Sequence, residues 1–165
     1  MKDLEPPDSF FLQAARVCLE RGERLAAEKE LAAIQEGLRS HPDVLEIRWT
    51  IQMHARKWQA SLDLAQAIVN CAPGRPTGWI RRSFVLHRLK RTQEALDKLF
   101  PAAEKFSEIA MIPYNLACYS AQLQYLWEAE RWLKRAVEIG GTQIKALALQ
   151  DKDLQPLWAK SGAAR

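Results

Sequence analysis

The sequence predicts an all-helical protein, an α-solenoid of stacked antiparallel helix pairs, and three observations predict it. Residue types recur at a spacing of 34: one column reads Ala27, Ser61, Ala95, Ala129, and another Leu31, Ala65, Leu99, Leu133. Two more read Ile34, Ile68, Ala102, Ala136 and Phe11, Leu45, Trp79, Pro113. A fixed period of roughly 20–50 residues marks supersecondary units that stack on one another, and a period of about 34 fits a helix-turn-helix array. Between the chain breakers, apolar residues follow helical spacing. No segment sustains the period-two alternation of a half-buried strand.

Size and composition bound the rest. The chain has 165 residues, 48% of them apolar and 27% charged, which suits one soluble, core-forming domain rather than a disordered chain. No apolar run approaches the roughly 20 residues that span a bilayer. The start Met1-Lys2-Asp3-Leu4-Glu5-Pro6-Pro7 lacks the apolar stretch of a signal peptide. Three cysteines, Cys18, Cys71 and Cys118, an odd number without CxxC spacing, read as reduced small side chains. Together these give a cytoplasmic expectation. His41, His54 and His87 are scattered, so neither a metal site nor a cofactor is expected.

The elements follow in order. Residues 1–7 read as a flexible polar tail. Asp8 or Ser9 caps a helix from Phe10, and Gly22 breaks it. A second helix is expected over 25–38, ended by Ser40-His41-Pro42-Asp43, because proline lacks the amide hydrogen a helix interior needs. Helices over about 44–55 and 59–70 follow, then the breaker Cys71-Ala72-Pro73-Gly74-Arg75-Pro76. Helices near 77–89, 92–105, 112–123 and 125–139 complete the set, the last ending at Gly140-Gly141.

The columns have a packing logic. Where the two helices of a hairpin cross closely, a large side chain would hold the backbones apart, and Ala27, Ser61, Ala95 and Ala129 suit that crossing. Ala15, Ser83 and Ala117 suit the matching place on the first helix, where Trp49 makes the second unit locally irregular. Leu31, Leu99 and Leu133 fill the space between units, since no hairpin buries its own apolar face alone.

On these residues the chain resembles the tetratricopeptide repeat family, whose signature is W-x2-L-G-x2-Y, then A-x3-F, then P. The third unit offers Trp79, Ser83 and Ala95-x3-Leu99; the fourth offers Tyr114-Asn115-Leu116-Ala117-Cys118-Tyr119, Ala129-x3-Leu133 and Ala136. The second keeps Ser61, Ala65 and Pro73, and the first Phe11, Ala15, Gly22, Ala27 and Leu31. The registers are 8–41, 42–75, 76–109 and 110–143, leaving 144–165 as cap and tail. The stretch Asp151-Lys152-Asp153-Leu154-Gln155-Pro156-Leu157-Trp158, after a short helix over 142–149, is similar to the closing group of many bacterial members. A stack needs a cap on its last apolar face, and Leu147, Leu154, Leu157 and Trp158 are placed there.

No catalytic constellation is present: the chain has no GxSxG, HExxH, P-loop or GxGxxG. Ser83 and His87 share a helix face without a local acid to orient them. A non-enzymatic protein is expected. Charge placement says more. No Asp or Glu occurs from Leu64 to Gln93, a stretch carrying Arg75, Arg81, Arg82, Arg88, Lys90 and Arg91. The remaining 18 basic residues face all 20 acids, so this segment supplies the whole net charge of +4. It can steer an acidic ligand, or pair with acids such as Glu46 and Glu94.

The resemblance implies that the first helix of each pair lines a concave groove. Carried over by column, that groove would show Leu12, Gln13, Arg16 and Leu19, then Glu46, Ile47, Thr50, Met53 and His54. The third unit would add Ile80, Arg81, Phe84, His87 and Arg88, and the fourth Met111, Tyr114, Asn115, Cys118 and Gln122. Such a surface, apolar with a basic centre, suits a peptide with apolar anchors and one or two carboxylates. Leu12, Arg16 and Ile47 stand where the carboxylate-clamping subfamily has Lys or Asn, so a chaperone-tail clamp is not implied. The expected function is a protein-interaction scaffold. The alternatives are nucleic-acid binding through 75–91, which Arg81 and Arg82, about 100° apart on a helix, partly oppose, and self-association through Trp127 and Trp132.

Overall fold

A computed structural model describes residues 3–160. The described residues form helices α1 (Asp8–Glu20), α2 (Arg24–Ala33), α3 (Pro42–His54), α4 (Trp58–Cys71), α5 (Pro76–Arg88), α6 (Thr92–Leu99), α7 (Ala102–Lys105), α8 (Met111–Gln122), α9 (Leu126–Gln150) and α10 (Gln155–Lys160). No strand occurs among them. The chain divides into two compact units, one ending at Gly78 and one starting at Trp79.

The unit ending at Gly78 packs α1 against α2 and α3 against α4. Its core holds Leu12, Ala15, Ala27, Leu31, Ile34, Val44, Ile47 and Ile51, with Leu4 packed against it. The expected free tail is thus anchored at Leu4, an apolar side chain that gains by leaving water; Met1 and Lys2 lie outside the described residues. Helix α1 begins at Asp8, and the Asp8 side chain does not cap it. Its carboxylate, buried, accepts the Gln35 amide hydrogen at 2.8 Å instead. That bond belongs to a second correction. Helix α2 stops at Ala33, five residues short of expectation, because Ile34 turns extended (ψ 136°) and drops fully into the core. The Arg39 guanidinium takes up the freed Ala32 and Ile34 carbonyls at 3.0 and 3.1 Å. Helix α3 is unbroken from Pro42 to His54, so half-buried Trp49 does not disturb its backbone. At the start of α5, a Cβ on Gly78 would stand 2.8 Å from Ile68 Cγ2 and 3.0 Å from the Val69 nitrogen. Only glycine allows this approach.

The unit from Trp79 packs α6 and α7 against α8, α8 against α9, and α10 against both. Pro101 divides the single helix expected over 92–105 into α6 and α7, since its ring excludes the helical hydrogen bond at that point. The expected break at Gly140-Gly141 is present: Gly141 is non-helical (φ 60°, ψ −143°), a conformation that L side chains rarely adopt, and it kinks α9 into two helical arms. Beyond the kink Ile144 and Ala148, four apart, turn inward, whereas Leu147 is 45% exposed. Leu147 is therefore not a capping residue; Leu154 and Leu157, both buried, are.

The small-residue columns behave as packing requires: Ala27, Ser61, Ala95 and Ala129 have no exposed surface, nor do Ala15, Ser83 and Ala117. The backbone carries the same period. Left-handed residues fall at Gly22, Arg56, Lys90 and Gln124, each 34 after the last. At each, the next residue's amide donates back five residues: Glu23 to Cys18, Lys57 to Gln52, Arg91 to Leu86 and Tyr125 to Ser120, at 2.8–3.0 Å. This is the Schellman closure of a helix C-terminus, and it sets each hairpin turn.

Candidate interaction surface on α5 and α8

In the unit from Trp79, Ile80, Phe84, His87 and Arg88 recur at three- and four-residue intervals, forming one stripe along α5. Phe84 is 39% exposed and Arg88 is exposed. Arg81 beside them is half-buried. On α8, Tyr114, Asn115 and Cys118 are buried, while Met111 and Gln122 are exposed.

What covers α8 is the chain's own C-terminal segment. The Asp151 carboxylate accepts the Asp153 amide hydrogen at 2.9 Å, closing a short 3-10 turn over Lys152–Leu154. Its other oxygen accepts the Tyr114 hydroxyl at 2.5 Å and lies 3.7 Å from the Cys118 sulfur. Asp153 reaches α5: its carboxylate is 3.2 Å from His87 Nε2, and its carbonyl accepts the Gln122 amide at 2.9 Å. An ionised carboxylate can only accept, so Nε2 carries a proton; in the neutral ring Nδ1 then accepts the Thr92 hydroxyl at 3.0 Å. Leu154 follows as a fully buried anchor. An acidic–apolar turn, Asp-Lys-Asp-Leu, is thus held by a phenol, an imidazole, an amide and an apolar floor.

These contacts fix protonation. Burial, reinforced by Asp151, pushes the Tyr114 phenol well above its usual range. Burial, with the charges of Asp151 and Asp153, pushes the Cys118 thiol up likewise, and burial raises Tyr119. Cys118 is therefore a thiol, a poor nucleophile. Asp153 supplies His87 with the acid its own helix lacks, while the Ser83 hydroxyl donates to the Ile80 carbonyl at 2.9 Å and accepts from Tyr119 at 3.3 Å.

In the unit ending at Gly78, Gln13, Arg16 and His54 are exposed, and Leu19, Thr50 and Met53 are half-buried. Leu12 and Ile47 belong to the core, not to an open face. Glu46 accepts the Thr77 hydroxyl at 2.7 Å, and its backbone carbonyl accepts Thr50 Oγ1 at 3.1 Å.

The basic segment is dispersed. Arg75 forms an ion pair with Asp43, and Arg91 pairs with Glu94 at 2.6 Å. Arg82 is buried, donates to the Lys98 carbonyl at 2.9 Å and lies over the Trp79 ring; desolvation lowers its pKa. Among the described residues no cluster of three His, Cys, Asp or Glu side chains could hold a metal, and no helix is long and apolar enough to cross a membrane. The sequence pattern pointed to α5 and α8. It did not reveal the carboxylates of Asp151 and Asp153 as their partners, which only folding brings across some 30–70 positions.

The sequence matches no family model and no curated protein. Solved structures share its fold. TTC0263, a thermophilic tetratricopeptide repeat protein of Thermus thermophilus, is 19% identical with a TM-score of 0.70, over 94% of this chain and 83% of that one. YrrB, a tetratricopeptide repeat protein with an unusual peptide-binding site, is 14% identical with a TM-score of 0.70, over 94% and 78%. PilW, a type IV pilus biogenesis factor, is 14% identical with a TM-score of 0.72, over 98% and 81%. Helix pairs turned every 34 residues, small residues at each crossing and this likeness along nearly the whole length give one answer: the chain has the tetratricopeptide repeat fold.

Proposed function

We propose that this protein is a non-enzymatic interaction module, built of four repeats over 8–41, 42–75, 76–109 and 110–143, that binds a partner segment on the groove faces of its first helices. The segment is acidic and apolar. The observation that carries this reading is the seating of Asp151–Leu154, itself acidic and apolar, on His87, Tyr114 and Gln122. The adjoining stripe of Ile80, Phe84 and Arg88 has the same chemical character, apolar side chains beside a guanidinium. Arg81 lies beside it on α5 and Asn115 on α8; in the other unit, taken by itself, Arg16, Thr50, Met53 and His54 lie on the first helices. Three free cysteines suit work in the cytoplasm. Nucleic-acid binding is disfavoured, because Arg75, Arg82 and Arg91 are committed within the protein.

The test is capture of a partner from native lysate by wild type and by the double variant Phe84→Ala/Arg88→Glu. Both positions are exposed, and a thermal melt checks that the variant is folded. Capture should fall about tenfold or more. Undiminished capture by the folded variant would overturn the assignment.

A further inference from the structure

The exposed side of α9 carries a second surface. Trp127 is 61% exposed and Phe100 56%. Phe100 meets Trp132 edge-on at 5.9 Å between ring centres. Phe100 and Trp132 border an open hollow of about 610 Å³ that Glu128, Arg131 and Arg135 also line. The Arg131 guanidinium lies 4.8 Å over the Trp127 ring, and Arg135 lies 6.0 Å over Trp132 while donating to the Ala103 carbonyl. Among the described residues, neither Arg131 nor Glu128 has a partner of opposite charge.

We propose that this face is an isologous interface between two copies of the chain. It holds a projecting ring and, beside it, an unpaired base and an unpaired acid, so it is complementary to itself in charge. A two-fold axis satisfies the charge complementarity at both contacts in one register. When two α9 helices run antiparallel about an axis between residues 129 and 130, residue 128 of each faces 131 of the other, the two lying about 60° apart on one helix face. Glu128 then meets Arg131 twice, and Trp127 of each copy packs along the seam beside Arg131. Exposed tryptophan and arginine are the side chains that dominate interface energetics, and two-fold closure stops growth at the dimer.

The experiment is sedimentation equilibrium of the full chain over increasing concentration. Wild type should pass from one chain to two. Trp127→Ala should weaken the dimer about tenfold or more. Arg131→Glu alone places acid against acid and Glu128→Arg alone places base against base, so each should remain monomeric. An equimolar mixture of the two single variants restores one acid against one base at both contacts and should form a heterodimer. Circular dichroism melts check that each variant, altered only at an exposed position, is folded. A wild type that stays monomeric at every concentration, a dimer indifferent to Trp127→Ala, or a mixture that stays monomeric would each overturn the proposal. Since none of these substitutions lies on α5 or α8, a negative result here leaves partner capture by the α5 stripe unaffected.

Discussion

The Tyr114 hydroxyl, buried on α8, donates to the Asp151 carboxylate at 2.5 Å, 37 residues further along the chain. The same carboxylate organises the turn before Leu154 through the Asp153 amide. One acid therefore both shapes the C-terminal segment and fastens it to α8. Hydrogen bonds to a charged group contribute about 1.5–3 kcal/mol. Tyr114→Phe should lower stability by about 1–2 kcal/mol, and Asp151→Ala, which also removes the cap of the turn, by about 2–3 kcal/mol. Urea unfolding of both, with the double variant, should give a coupling of about 1 kcal/mol or more; additive losses would mean that the bond contributes nothing.

The hairpin turns offer gains. Arg56, Lys90 and Gln124 occupy a left-handed conformation (φ 55–65°) that costs a non-glycine residue roughly 1 kcal/mol, and the equivalent position in the first turn is Gly22 (φ 78°). Replacing Arg56, Lys90 or Gln124 by glycine should therefore raise stability by a few tenths to about 1 kcal/mol each. Gly22→Ala should lower it by about 1 kcal/mol. Thermal melts of the four single variants check the sign at each turn.

Close approach sets the opposite rule at Gly78. A Cβ there meets Ile68 and the Val69 backbone within 3.0 Å, and backbone cannot give way as a side-chain tip can. Gly78→Ala should cost about 1–3 kcal/mol despite alanine's better helix propensity. A neutral result in a urea melt would place Gly78 further from α4 than described.

Protonation gives a pH dependence. Burial raises the Cys118 thiol above its usual range, so the folded protein keeps a proton that the unfolded chain loses above about pH 8.5. The unfolded state then binds fewer protons, and stability falls as pH rises, by up to about 1.4 kcal/mol per pH unit from this thiol. Below that range its contribution is complete and constant. Cys118→Ala should flatten the alkaline limb of stability against pH. In the native protein, iodoacetamide should also modify half-buried Cys18 and Cys71 well before Cys118.

The repeat architecture was legible because packing imposes it residue by residue. A crossing admits only Ala27, Ser61, Ala95 and Ala129, and the period follows. Less legible was what depends on a single distant contact. Helix α2 ends early because Asp8 and Arg39 supply partners for backbone that leaves the helix around Ile34, and neither bond has a local signature. The break at Pro101 was readable from proline chemistry, although helical spacing across 92–105 masked it. Among candidate site residues, the α5 stripe followed from column position alone. The cover over Tyr114 and Cys118 did not, since Asp151 and Asp153 read in sequence only as an acidic cap.

The central claim is that the α5 stripe receives a partner segment. Its most direct test is a photo-crosslinking amino acid placed at Phe84, on the stripe, and separately at exposed Glu104 on α7. Irradiation in native lysate should give a discrete adduct from position 84, weakened by Arg88→Glu, and none from position 104. The same adduct from both positions, or from position 104 alone, would contradict it.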